Sequence, residues 1–168
     1  MAETLIEIFD KDVKEKPNEV IYWKVRNAAR AIIFDKDKIA VLHIKKFNRH
    51  TLIGGGIDEG ESVLQALHRE ALEEAGCTIK VHEKIATAIE YKTHVSGKQR
   101  STFFIAEVIQ KRTPNLTDEE KNSGSVVEWM TIKEAKSIMN KELNSTKNYE
   151  GKFSLKRNLF VLKLVKEN

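Results

Sequence analysis

Three consecutive glycines, Gly54-Gly55-Gly56, lead through Ile57-Asp58-Glu59-Gly60-Glu61 toward Arg69-Glu70-Ala71-Leu72-Glu73-Glu74-Ala75-Gly76, and no other segment restricts the fold as strongly. Glu70, Glu73 and Glu74 stand at i, i+3 and i+4, so an α-helix stacks their carboxylates on one face. Like charges placed that way repel and weaken the helix that carries them. A hard divalent ion that prefers oxygen ligands, Mg2+ with Mn2+ as a substitute, is the natural neutralising cofactor.

The helix itself has readable ends. Ser62 and Gln65 form a capping-box pattern, and Gly76 supplies the left-handed residue that closes a helix. On a 100° wheel Leu64, Leu67, Ala71 and Ala75 share one sector, which predicts a buried side with the acids at its edge. A Glu-rich helical face is ordinarily just solvated surface. The coincidence of Glu61, Arg69 and the glycines with it reverses that judgement.

The spacing resembles that of the Nudix (MutT-type) hydrolases, whose box reads G-x5-E-x7-R-E-U-x-E-E-x-G-U, with U a bulky aliphatic residue. Gly55, Glu61, Arg69, Glu70, Glu73, Glu74 and Gly76 fall in register over a box at 55–77. Ala71 and Cys77 occupy the two U positions with small side chains. The resemblance implies an α/β fold, the Nudix-type α/β/α sandwich with a mixed β-sheet, formed by residues 1–168 as a single domain. It also implies a Mg2+-dependent pyrophosphohydrolase acting on a nucleoside diphosphate linked to another moiety.

By resemblance, Glu70, Glu73 and Glu74 are metal ligands with the Gly54 carbonyl, and Arg69 and Glu61 orient them. Gly55 and Gly56 belong to the turn that meets phosphate, where backbone N–H groups at a helix N-terminus can receive anions. Glu73, Glu107, Glu119 and Glu120 are candidates for the general base, with the box residue Glu73 preferred. Arg26, at the start of a long strand, and Lys46, ahead of the glycines, are candidates to contact substrate. Downstream of the box Tyr91 and Lys92 match no single substrate subclass, and elimination leans toward nucleoside triphosphates or small nucleotides. The alternative is a Nudix-fold module that binds nucleotide without turnover, against which the intact Arg69-Glu70-x-x-Glu73-Glu74 argues.

Charge is segregated. Residues 54–77 hold six acids against Arg69, a balance of −5, and since the chain carries +4 in all, +9 falls on the remainder. A basic body around an acidic pocket suits a polyphosphate partner. No Arg-rich tract, zinc-type spacing or RNP-like aromatic motif points to nucleic acid. The lone Cys77 excludes an intrachain disulfide framework. With no 18-residue apolar run, and no basic segment after Met1, the expectation is a soluble cytoplasmic protein with no membrane partner; a homodimer is compatible with it.

Along the chain, 5–9 and 20–23 read as short strands around a polar loop, and 25–34 and 39–45 as a hairpin turning at 35–38. Residues 46–53 read as a lead into the glycines. Strands are expected at 78–91, 100–110 and 126–130, a long loop at 111–124, and helices at about 131–140 and 155–166.

Overall fold

The computed structural model describes residues 3–166; Met1 and Ala2, which bear on the expected absence of a leader, lie outside it. Seven strands form one sheet: β1 (Thr4–Ile8), β2 (Lys24–Asp35), β3 (Lys38–Ile44), β4 (Arg49–Gly56), β5 (Cys77–Lys92), β6 (Gly97–Lys111) and β7 (Ser125–Met130). Their spatial order is β1-β5-β6-β2-β4-β3-β7. β1 runs parallel to β5 and β2 parallel to β6, while the other pairs are antiparallel, so the sheet is mixed as expected. Among the described residues four α-helices complete the fold: α1 (Val63–Glu74), α2 (Asp118–Asn122), α3 (Ile132–Ser145) and α4 (Tyr149–Leu162).

The helices take opposite sides of the sheet because β2, like any strand, points alternate residues to opposite faces. Ala29, Ala31 and Ile33 pack with Leu67 and Ala71 of α1. Ile32 and its neighbours pack with Met139 of α3 and with Leu155 and Leu159 of α4. Small alanines on the first face let α1 lie close to the sheet. The result is an α/β/α sandwich. Among the described residues no helix is long and apolar enough to cross a membrane.

Four sequence expectations change. Residues 49–56, expected mostly as a lead-in, form β4, which pairs with both β2 and β3 at the middle of the sheet. Residues 20–23 form no strand, and Ile21 is 96% exposed, so nothing there rewards pairing. The 111–124 loop contains α2, capped by Thr117 and Glu120. The last helix begins at Tyr149 because the Asn148 side chain accepts from Gly151 N at 2.7 Å, and it ends at Leu162; α3 continues to Ser145.

A polar knot ties β3, β4, β7 and α3 together. His50 Nδ1 meets Glu142 at 2.5 Å, its Nε2 meets Glu128 at 3.1 Å, and His43 Nδ1 meets the other Glu128 oxygen at 2.8 Å. The two imidazoles stack with centroids 4.0 Å apart. Burial disfavours a charged His50, but the hydrogen bonds to Glu142 and Glu128 outweigh it and raise its pKa above 6.5.

A raised folded pKa means that His50 contributes stability below its ordinary value, and that the contribution is lost as pH rises through the raised value. His50→Gln is therefore expected to lower Tm more at pH 6 than at pH 9. The loss at pH 6 should be about 1–3 kcal/mol, the range for a buried charged hydrogen bond. Melting both proteins across pH 5.5–9.5 checks this; a gap independent of pH would mean that the imidazolium is not what ties the knot.

Candidate active site

The site begins with what glycine permits. Gly54 has φ +137°, and a Cβ there would collide with the Ala29 carbonyl across the β2–β4 ladder. At Gly55 a Cβ would occupy the space of the Glu70 carboxylate. The two glycines thus let the acidic side of α1 descend onto the strand. Glu74 Oε2 accepts from Gly54 N at 2.8 Å, and the Gly54 carbonyl accepts from Arg30 Nη1 at 3.0 Å.

Capping holds α1 in register. Ser62 Oγ accepts from Gln65 N at 3.1 Å and Gln65 Oε1 from Ser62 N at 2.8 Å, the reciprocal box read from the sequence. At the other end Gly76 has φ +61°, and a Cβ would strike the Arg112 carbonyl and Pro114, so both conformation and space demand glycine.

The buried face differs from the sequence expectation. Glu70 and Glu74, at 7% and 6% exposed, lie within it rather than at its edge, while Leu64 is 46% exposed. The burial of Ala66, Leu67, Ala71 and these two acids shows that α1 is turned to present carboxylates to the glycine backbone. Leu64 sits in the first turn, beyond the sheet's cover. Glu73, about 100° around the helix from Glu74, points to the flank and pairs with Arg69 at 3.2 Å.

Arg69 organises the outer half of the site. Its Nε and Nη2 grip both oxygens of Glu61 at 2.8 and 2.9 Å, Nη1 reaches Glu70 at 2.8 Å, and Nη2 also donates to the Gly56 carbonyl at 3.0 Å. A planar guanidinium suits such bidentate work. The Arg69 hydrogen bond, helped by the Asp58 N–H, holds Glu61 down at about 2, and Arg69 is itself raised.

The inner half is short of positive charge. Burial raises Glu74 well above the carboxylate range; the Gly54 N–H opposes this, and Glu70 adds repulsion. Burial likewise raises Glu70 despite Arg69. Glu120 arrives from α2, so that one carboxylate oxygen from each of Glu70, Glu74 and Glu120 lies within 4.8 Å of the others. Glu120 is aimed by its own cap, accepting from Thr117 N at 2.7 Å. Three converging oxygens, two of them on buried acids held at unfavourable charge, form a donor set that fits a hard divalent cation.

The trio lines a cavity of about 500 Å³ together with Gly54, Gly55, Gly56, Arg26 and Glu119. Glu73, Glu61 and Arg69 stand outside its lining, and so does Lys46. Lys46 is exposed and lies over the Phe47 ring at 5.6 Å, while its N–H is taken by the Ser123 carbonyl. Glu107 is far from the trio's role: it is exposed and faces Lys80 and His82. Arg26 lies over Gly56, where a Cβ would fall 3.1 Å from its Nη2.

Arg49 of β4, which with Lys46 and His50 precedes the glycines and could contact phosphate on the sequence alone, does line this cavity; sequence reading missed Arg30, Lys92 and Arg157, which line it from β2, β5 and α4. The available signal was weak: Arg30 breaks an otherwise small and apolar strand interior, Ala28-Ala29-Arg30-Ala31. Burial, then repulsion from Arg157 and Arg26, pushes Arg30 down to about 9, which leaves it cationic at neutral pH. Among the described residues its buried Nε has no hydrogen-bond partner, and neither has that of Arg49. An orphaned buried donor costs about 1–3 kcal/mol.

A family model described as NUDIX domain matches residues 24–150. The chain is 32% identical over 108 residues to "Nudix hydrolase 12, mitochondrial" of Arabidopsis thaliana, covering 59% of this chain and 51% of that protein, and so spans about half that relative's length. Among solved structures it is similar to a NUDIX hydrolase from Nitrosomonas europaea, with TM-score 0.61, 16% identity, and 85% of this chain and 97% of that chain covered. It is also similar to an ADP-ribose pyrophosphatase from Streptococcus suis, with TM-score 0.53, 18% identity, and 83% and 89% covered. At these identities the likeness to the solved structures is one of fold.

Because Arg69 depresses Glu61, Arg69→Gln is expected to return Glu61 toward its ordinary 4.5. The sign follows: a depressed carboxylate contributes stability above its unfolded value, lost as pH falls toward about 2, so the stability advantage of wild type over the variant should be full above pH 4.5 and close between pH 4.5 and about 2. NMR titration of the Glu61 side chain reads the shift directly. A Glu61 still titrating near 2 in the variant would assign the effect to something other than Arg69.

Proposed function

This chain belongs to the Nudix family, and we propose that it is a pyrophosphohydrolase that uses Mg2+, or Mn2+ in its place, to cleave the diphosphate of a nucleoside diphosphate linked to another group. The observation that carries this is the convergence of Glu70, Glu74 and Glu120 on glycine backbone at the wall of a cavity otherwise rich in guanidinium groups. The name of the Streptococcus suis neighbour, an ADP-ribose pyrophosphatase, is compatible with such a substrate. We further propose that residues 1–168 work as one Nudix domain in the cytoplasm, although the Arabidopsis relative is named mitochondrial.

Glu70, Glu74 and Glu120 would hold the cation, with the Gly54 carbonyl beside them. The ion would neutralise charge developing on the phosphoryl oxygens and acidify the attacking water. Arg69, anchored by Glu61 and the Gly56 carbonyl, keeps Glu70 from swinging outward, and Glu73 completes that brace. Arg26, lying over Gly56, is placed to meet a phosphate oxygen. A second cavity of about 1100 Å³ shares Arg26 and Gly56 with the first and is lined by Val25, Val63 and Phe104, a surface for the nucleoside.

Glu119 lines the first cavity, one residue from Glu120, and its carboxylate makes no hydrogen bond among the described residues. We assign it the water's proton in preference to Glu73, whose carboxylate is engaged by Arg69. As the water oxygen bonds to phosphorus, the bridging P–O bond breaks and the leaving phosphate keeps the electron pair. One proton passes to Glu119.

Glu70→Gln and Glu74→Gln are each expected to cut kcat by ~100-fold or more, the usual consequence of losing a strong electrostatic stabiliser. Millimolar Mn2+ should raise the wild-type Tm by mass action, and should do so less in either variant. A screen of nucleoside triphosphates and NDP-linked compounds should give nucleoside monophosphate plus pyrophosphate or X-phosphate, and phosphomonoesters should remain intact. Nucleotide binding without turnover under any divalent ion would establish the inactive-module alternative. Variants with activity within a few-fold of wild type would overturn the assignment of the carboxylates.

Glu119→Gln should lower kcat ~100-fold while leaving the Mn2+ shift in Tm in place. Loss of that shift would make Glu119 a metal ligand instead.

A further inference from the structure

The histidine knot lies apart from both cavities. Leu42, Ile44 and Thr51 line the first cavity, while His43 and His50, which alternate with them along β3 and β4, line neither. The two histidines face each other directly across the antiparallel β3–β4 ladder. Cβ atoms so placed stand about 4.5–5.5 Å apart. On the other side of β3, β7 sets Glu128 opposite Val41, two residues from His43, so the Glu128 side chain shares the face of the imidazoles.

One nitrogen of each ring and a Glu128 oxygen lie within 4.8 Å of one another. Glu128 divides its two oxygens between the rings, 2.8 Å from His43 Nδ1 and 3.1 Å from His50 Nε2. Behind His50, Glu142 meets Nδ1 at 2.5 Å and accepts from the backbone N–H at 2.9 Å. A carboxylate on the far nitrogen is the support that fixes the tautomer and orientation of a metal-bound imidazole. It makes Nε2 the nitrogen whose lone pair His50 can offer.

His43 is held on one side only. Its Nε2 is buried and has no hydrogen-bond partner among the described residues. The rings stack 15° from parallel, so one of them must turn about its Cβ–Cγ bond before both lone pairs meet a single ion. His43 is the ring free to do so, because a terminal torsion of this kind has a broad minimum and no hydrogen bond anchors the ring from behind. The Glu128 side chain, 37% exposed, gives solvent a way in.

We propose that His43, His50 and Glu128 form a binding site for a late first-row divalent cation of the zinc class, separate from the carboxylate trio. Two imidazole nitrogens and one carboxylate oxygen suit Zn2+, whereas the all-oxygen set of Glu70, Glu74 and Glu120 suits Mg2+ or Mn2+. The cation takes the place of the protons between Glu128 and the rings. It thus joins β3, β4 and β7 through the same side chains, with Glu142 of α3 as outer support, and leaves a further position for water. The site is independent of the pyrophosphohydrolase reading.

Zn2+ itself is the probe, titrated into the metal-free full chain against a chromophoric chelator while the imidazole resonances are followed by NMR. Wild type and Glu70→Gln, whose trio lacks one ligand, are titrated side by side. Of the five histidines, His43 and His50 should shift in both proteins, and His68, His82 and His94 should hold their positions. His43→Gln and Glu128→Gln, at partly exposed positions, should each weaken binding by ~10-fold or more, no less than the loss of an outer-shell partner costs a metal site.

Melting supplies the second arm. Zn2+ should raise the Tm of wild type and of Glu70→Gln by mass action, and should raise it less in His43→Gln and Glu128→Gln. Melting in EDTA shows whether those two variants are folded; if they are not, the resonances of the wild type decide alone. Unaltered zinc binding in both folded variants would overturn the site. So would zinc binding that moves only His68, His82 or His94, or a wild type whose His43 and His50 resonances do not respond to Zn2+.

Discussion

Everything at this site depends on how closely a helix can bring carboxylates to a strand. Glycine at 54 and 55 removes the side chains that would keep α1 away, and the Gly54 N–H then fixes Glu74 at 2.8 Å. Alanines on β2 and α1 set the approach for the helix as a whole. Acids that would otherwise be solvated are therefore buried. Burial pushes the pKa of both acids upward.

Neutralisation is split along the helix. Arg69 spends its five N–H groups on Glu61, Glu70, Glu73 and the Gly56 carbonyl, so the outer half is internally balanced. In the inner half Glu70 shares Arg69, while Glu74 and Glu120 have no ion pair among the described residues: Glu74 accepts from Gly54 N, and the nearby Arg30 donates to the Gly54 carbonyl. The closed outer network braces the helix beside the Glu70–Glu74–Glu120 trio. The distribution explains why a helix with so many acids is stable as a structural element.

Across the cavity the same logic appears with opposite sign. Glu90 pairs with Arg157 and Glu150 with Lys92, while Arg26, Arg30 and Arg49 line the cavity without an ion pair among the described residues. Strands near the middle of the sheet deliver Arg26, Arg30 and Arg49, and the last helix delivers Arg157. Charged groups of both signs thus line one space.

Local order is what the amino-acid sequence determined by itself. The Ser62–Gln65 box, the Gly76 stop, the hairpin at 35–38 and the i, i+3, i+4 carboxylates depend on neighbours a few residues apart, and all of them are present. The Nudix spacing extends that legibility to Glu61 and Arg69, whose pairing spans eight residues. Tertiary structure decided the rest. It turned Glu73 to the flank, carried Glu120 from α2 into the trio, and left Lys46 on the surface. It also turned 49–56 into a central strand and assembled the cations from residues as far apart as Arg26 and Arg157. The physical reason is that burial and charge partnership depend on distance in space, and those distances are set by sheet order and helix docking rather than by position along the chain.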